Sequence, residues 1–150
     1  MLENGEKAPD FELISAEGET VRLADFEGRR VILFFYPKAG TPGCTTQACG
    51  FRDRWPQIEG AGATVVGVSP DTPEDLAKWK EEEQLPYDLL SDVDHQVAEA
   101  YAVWGKKKMF GREYMGIIRS HFVIDEEGRL ADVQYNVGPE KSVKRAVEAL

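Results

Sequence analysis

The longest unbroken apolar run in the chain is Val31 to Tyr36 (VILFFY). A strand with one wet face alternates apolar and polar residues, so a continuous run of this length predicts a strand covered on both faces. Thr64 to Val68 has the same character and predicts a second central strand. Weaker patterns lie around these two. Phe11 to Ile14 and Thr20 to Leu23 flank the turn residues Ala16-Glu17-Gly18 and predict an N-terminal hairpin. His121 to Ile124 and Leu130 to Gln134 flank a turn at Asp125 to Gly128 and predict another hairpin. Asp88 to Leu90 predicts a short strand.

Helical patterns fall between the strands. Pro37 to Gly43 is a loop rich in helix breakers, and a helix is expected from near Cys44 to about Trp55, where Pro56 interrupts it. Asp71-Thr72-Pro73-Glu74-Asp75 combines a capping side chain, a first-turn proline and acids facing the helix dipole, predicting a helix to about Glu83. Gln96 to Tyr101 and Lys141 to Leu150 predict two more. Strands interleaved with helices imply an α/β layer fold, and the hairpins at both ends make its central sheet mixed. There is no repeat, low-complexity tract or linker, and residues 1–150 suit one domain.

Composition narrows the function classes. Apolar residues make up 42% and charged residues 30%, which fits a packed core under a solvated surface. No segment has the roughly 20 apolar residues of a membrane span, and the start of the chain resembles no secretory signal, so a cytoplasmic protein is expected. A net charge of −9 argues against nucleic-acid binding, which relies on Lys and Arg at phosphates. Lys106-Lys107-Lys108 is the one basic run, read as a solvated loop rather than an anion site.

The chemistry centres on Cys44 and Cys49, the only cysteines. They are too close in sequence to staple a fold, so catalytic, redox and metal-binding roles all come into view. Cys44 follows a buried strand and a tight loop, and falls at the first turn of a helix. Unpaired N–H groups and the positive end of the helix dipole there favour the reactive thiolate. The alternative is a buried inert thiol. The Thr41 hydroxyl lies one loop turn earlier. Arg119 is a candidate cation, although the residues alone favour a surface salt bridge for it. Cys-x4-Cys is not a common zinc spacing, and His95 and His121 lie far along the chain, so no metal site is expected. His121 reads as packed or half-exposed, Trp104 as core at a helix end, and Glu81 to Glu83 as a solvated helix end.

The segment Phe35 to Cys49 (FYPKAGTPGCTTQAC) resembles the active-site signature of the peroxiredoxins, most closely the bacterioferritin comigratory protein / peroxiredoxin Q branch. Gly5 to Phe11, Leu89 to Asp92 with His95, Val103 to Gly105, Tyr114 to Ile117 and Arg119 to Asp125 resemble later family segments in order. The resemblance implies a thioredoxin-like fold with an added N-terminal hairpin. It implies Cys44 as peroxidatic cysteine and Cys49 as resolving cysteine. It further implies Thr41 and Arg119 as the groups that polarise the peroxide, and Pro37 as a shield over the site. Substrates would be hydroperoxides, and the recycling partner thioredoxin or a similar dithiol, with no metal, flavin or haem cofactor. The chain lacks a cysteine-bearing C-terminal tail, so a monomer is expected rather than the tail-resolved dimer. Gly40 and His121 depart from the family pattern. Cys-x2-Cys oxidoreductases of the same fold and non-catalytic redox sensors are the competing classes.

Overall fold

The computed structural model describes residues 1–150. The chain runs β1 (Glu12–Ser15), β2 (Thr20–Arg22), a short 3-10 turn (Leu23–Phe26), β3 (Arg30–Phe35), α1 (Pro42–Asp53), α2 (Trp55–Gly60), β4 (Ala63–Ser69) and α3 (Pro73–Glu83). It continues β5 (Asp88–Ser91), α4 (Gln96–Ala100), β6 (Trp104–Met109), β7 (Arg112–Ile117), β8 (Ser120–Ile124), β9 (Leu130–Gln134) and α5 (Pro139–Glu148). Seven strands form a mixed sheet in the order β2-β1-β5-β4-β3-β8-β9. The central β3, β4 and β5 are parallel, and the hairpins β1–β2 and β8–β9 add antiparallel edges.

The all-apolar strand β3 explains the layering. Side chains alternate between the faces of a sheet. Ile32, Phe34 and Tyr36 join one core cluster with residues of α1, α2, α3 and α5, including Ala48, Phe51, Ile58, Leu76 and Val143. Val31, Leu33 and Phe35 join the other, with Phe26, Ala98, Tyr101 and Phe122. Both faces are covered, as the unbroken run VILFFY requires.

The helix carrying the cysteines begins two residues before the expected start. Pro42 opens α1 after Thr41, because its missing N–H is no loss in a first helical turn. Pro56 likewise sits at the second position of α2, so the chain breaks at Arg54 and then resumes as helix. The closing helix α5 begins at Pro139 for the same reason. α1 and α5 approach closely: a Cβ on Gly50 would stand 2.8 Å from Val143 Cγ2, so any larger residue would push the helices apart.

One expectation fails outright. Lys106 to Lys108 is not a loop but part of β6, which pairs with β7 as a separate two-stranded ribbon. Trp104 is not at a helix end. It opens β6 and stacks flat on the His95 ring at 3.8 Å. The ribbon lies outside the main sheet, with Lys106, Lys108, Met109 and Phe110 exposed. Without a buried face it carries no alternating apolar signal, and its sequence therefore reads as loop.

Candidate active site

The loop after β3 leads into the first turn of α1, and Cys44 is the third residue of that helix. Thr41 stands at the cap position, yet its side chain does not cap the helix. Its hydroxyl instead donates to the Lys38 carbonyl at 2.8 Å. The amides of Gly43 and Cys44 therefore have no hydrogen-bond partner in the chain. Two N–H groups and the positive end of the helix dipole are thus left free in the turn that carries Cys44.

Pairing of β3 with β8 brings distant sequence to this point. Phe35 lies opposite Ser120, which sets Arg119 beside the loop that opens with Pro37. The Arg119 backbone is tied down, with the Val137 amide donating to its carbonyl at 3.0 Å. Its guanidinium donates from Nη2 to Cys44 Sγ at 3.5 Å and from Nη1 to Gln47 Oε1 at 2.7 Å. The surface salt bridge that the residues alone favoured is not formed. Gly43 leaves room for this contact, since a Cβ there would stand 3.0 Å from Arg119 Nη2.

Cys44 is fully buried. Arg119 and Pro37 line an open cleft of about 510 Å³ together with Lys106, Lys107, Lys108 and Pro139. The basic run of β6 thus forms a wall of the cleft beside the thiol. Lys107 donates to the Ile117 carbonyl at 2.8 Å. Burial, with the nearby Arg119 cation, pulls its pKa below the usual lysine range, while the Cys44 charge opposes this.

Cys49 sits elsewhere on α1, at a surface groove shared with Glu140 and Val143 of α5. Both cysteines are free thiols. The Cys49 sulfur donates to Glu83 Oε1 at 3.5 Å, and Arg52 bonds the Glu83 carbonyl at 2.8 Å. Glu83 is therefore not simply a solvated helix end. Burial pushes the Cys49 thiol above its ordinary pKa, Arg52 opposes this, and Glu83 adds to the rise.

The arrangement is a buried thiol under a guanidinium and two free amides, at the edge of a basic cleft, with a second thiol further along the same helix. Residues 4–133 match the AhpC/TSA family. Over 149 residues the chain is 50% identical to the peroxiredoxin Bcp of Bacillus subtilis, covering 99% of this chain and 95% of that one. The chain belongs to the AhpC/TSA family, among its Bcp-type peroxiredoxins.

The peroxiredoxin Bcp of Escherichia coli is 50% identical over 132 residues, covering 88% of this chain and 85% of that one. A mutant PrxQ from Xylella fastidiosa superposes with a TM-score of 0.92 at 26% identity, covering 99% of this chain and 94% of that one. The bacterioferritin comigratory protein of Xanthomonas campestris, studied for its alkyl peroxide reduction activity, gives a TM-score of 0.87 at 29% identity, covering 93% of this chain and 88% of that one. The seven-stranded sheet is the thioredoxin-like fold of these peroxiredoxins, with β1–β2 as the added N-terminal hairpin.

Two polar neighbours of Arg119 lie outside the residues singled out from sequence. Gln47 stands three residues after Cys44, which places both on one helix face. Ser142 has no local signal. His121, expected to be packed or half-exposed, is fully buried and hydrogen-bonded at both ring nitrogens.

Proposed function

We propose that this peroxiredoxin reduces hydrogen peroxide and organic hydroperoxides with Cys44 as the peroxidatic and Cys49 as the resolving cysteine. The observation that carries this reading is the Arg119 guanidinium on Cys44 Sγ beside the unpartnered amides of Gly43 and Cys44. A peroxide enters the cleft lined by Arg119, whose guanidinium reaches the buried sulfur behind it. The Cys44 thiolate attacks one peroxide oxygen, the O–O bond breaks, and the leaving alkoxide or hydroxide takes up a proton. Arg119 and the free amides stabilise the negative charge as it moves. Thr41 Oγ keeps acceptor capacity for the peroxide proton while it donates to Lys38. Pro37 shields the site from the side of the preceding loop.

Cys44 is then a sulfenic acid. Cys49 attacks its sulfur, water leaves, and a disulfide forms. A dithiol such as thioredoxin supplies two electrons and two protons to restore both thiols. The alkyl peroxide activity for which the Xanthomonas relative was studied supports organic hydroperoxides as substrates.

The test is to add one equivalent of hydrogen peroxide to the reduced protein, then thioredoxin with its reductase. The reading expects peroxide consumption, a mass loss of two hydrogens, and sustained turnover only with the dithiol. Insulin reduction without peroxide consumption would overturn it in favour of a dithiol oxidoreductase. Oxidation without turnover would leave a redox sensor.

Two residues make separable predictions. Arg119→Ala removes the guanidinium that reaches Cys44 Sγ at 3.5 Å. It is expected to slow the first oxidation about a hundredfold, because the charge passing from sulfur to the leaving oxygen loses its nearest cation. Stopped-flow rates with hydrogen peroxide check this. Glu83→Gln removes the charge that helps keep Cys49 protonated and weakens its tie to α3. Below the Cys49 pKa the thiolate fraction should rise. Disulfide formation is then expected to quicken about two- to threefold, with no change in the peroxide step.

A further inference from the structure

A line of buried polar groups runs from the far edge of the sheet to the candidate active site. Asp132 Oδ2 on β9 lies 2.9 Å from His121 Nε2 on β8. His121 Nδ1 lies 2.7 Å from Ser142 Oγ on α5. Ser142 Oγ lies 2.9 Å from Gln47 Nε2 on α1, and Gln47 Oε1 lies 2.7 Å from Arg119 Nη1. Gln47, His121 and Ser142 each have no exposed surface. Nothing in the reaction steps above uses Asp132, His121 or Ser142.

The proton positions in this line follow from its two ends. Arg119 only donates, so the Gln47 oxygen must face it and the Gln47 amide nitrogen must face Ser142. The Asp132 carboxylate only accepts, so His121 directs an Nε2–H at it; in the neutral imidazole Nδ1 is then the acceptor, and the Ser142 hydroxyl donates to it. Ser142 is thereby left to accept from Gln47. Every link is satisfied in one direction, with donation running from Arg119 through Gln47, Ser142 and His121 to the accepting carboxylate of Asp132. Burial alone would raise the Asp132 carboxyl, but the hydrogen bonds from His121 and Gln134 hold it below the usual carboxylate range.

We propose that Asp132, His121, Ser142 and Gln47 form a one-way hydrogen-bond chain that positions the Arg119 guanidinium on Cys44. An amide can turn end for end at little steric cost, and a turned Gln47 would point N–H groups at a cation. Asp132 prevents this through the His121 tautomer and the Ser142 proton. With Nη1 held on Gln47, the rigid guanidinium plane presents Nη2 to the sulfur. His121, Ser142 and Asp132 are positioning residues, since they act on the reaction only through Gln47 and Arg119.

The inference rests on the proposed peroxidase reading, and the two can fail separately. The readout is the second-order rate of Cys44 oxidation by hydrogen peroxide, measured by stopped-flow on the full chain. Ser142→Ala removes one atom from the middle of the line and is expected to slow this step about tenfold. In an Arg119→Ala background the same change should cost nothing more, because the chain has nothing left to position. His121→Asn keeps an acceptor toward Ser142, whereas His121→Leu does not. The Asn variant should therefore react faster than the Leu variant, even where Leu folds more stably. An unchanged rate in Ser142→Ala overturns the inference while leaving the peroxidase reading intact. So do losses that multiply with Arg119→Ala, or a Leu variant as fast as the Asn variant. A wild-type chain that does not react with peroxide overturns both.

Discussion

The Cys44→Ser variant is expected to lose hydroperoxide reduction altogether, to the background rate of peroxide with buffer thiol. The reaction needs an anion that attacks weakly polarised oxygen at neutral pH, and a serine hydroxyl supplies almost none. The serine side chain is a little smaller than the thiol it replaces, and its oxygen can still accept from the Arg119 guanidinium that reaches Sγ. The variant should therefore fold normally, and its loss should read as chemistry. A coupled assay with thioredoxin reductase and NADPH, set beside wild type and Cys49→Ser, checks this. The Cys49→Ser chain should complete one oxidation of Cys44 and then stall for want of a resolving thiol. Turnover by Cys44→Ser above a tenth of wild type would remove Cys44 from the role assigned to it.

Oxidation is also expected to melt the start of α1. Cys44 and Cys49 both lie within the α-helix Pro42–Asp53. Five residues along a helix rise about 7.5 Å, which puts the two Cα atoms roughly 8–9 Å apart with diverging side chains. A disulfide needs Cα atoms within about 7 Å. The surroundings agree, since Cys44 faces Arg119 and Cys49 faces Glu83. The bond therefore cannot close while this stretch stays helical. Weak helix formers at Thr45, Thr46 and Cys49 make unwinding easier. It would also separate Gln47 from Ser142 and withdraw the partner that holds Arg119. Amide hydrogen exchange over Thr45 to Phe51 should show protection falling roughly a thousandfold from the reduced to the disulfide form. Equal protection in the two states would show that Cys49 is not the partner of Cys44.

The division between local and long-range information is visible in these residues. The unbroken run at β3, the two flanking hairpins and the bodies of α1, α3 and α5 were legible because each depends on its own few residues, although the starts of α1 at Pro42 and α5 at Pro139 lie two residues before the expected ones. The resemblance around Cys44 was legible for the same reason, being one contiguous stretch. Arg119 was a different case. By itself it reads as a surface charge, and only the register of β3 against β8 turns it onto the sulfur. The β6–β7 ribbon was not legible, because strands without a buried face leave no periodic mark. The line through Asp132, His121, Ser142 and Gln47 draws on four elements and spans residues 47–142. Local sequence specifies the two thiols, the helix that carries them and the layered sheet behind them. Which distant polar groups meet is set by the packing of the elements, because hydrogen bonds between them depend on geometry that no local pattern encodes.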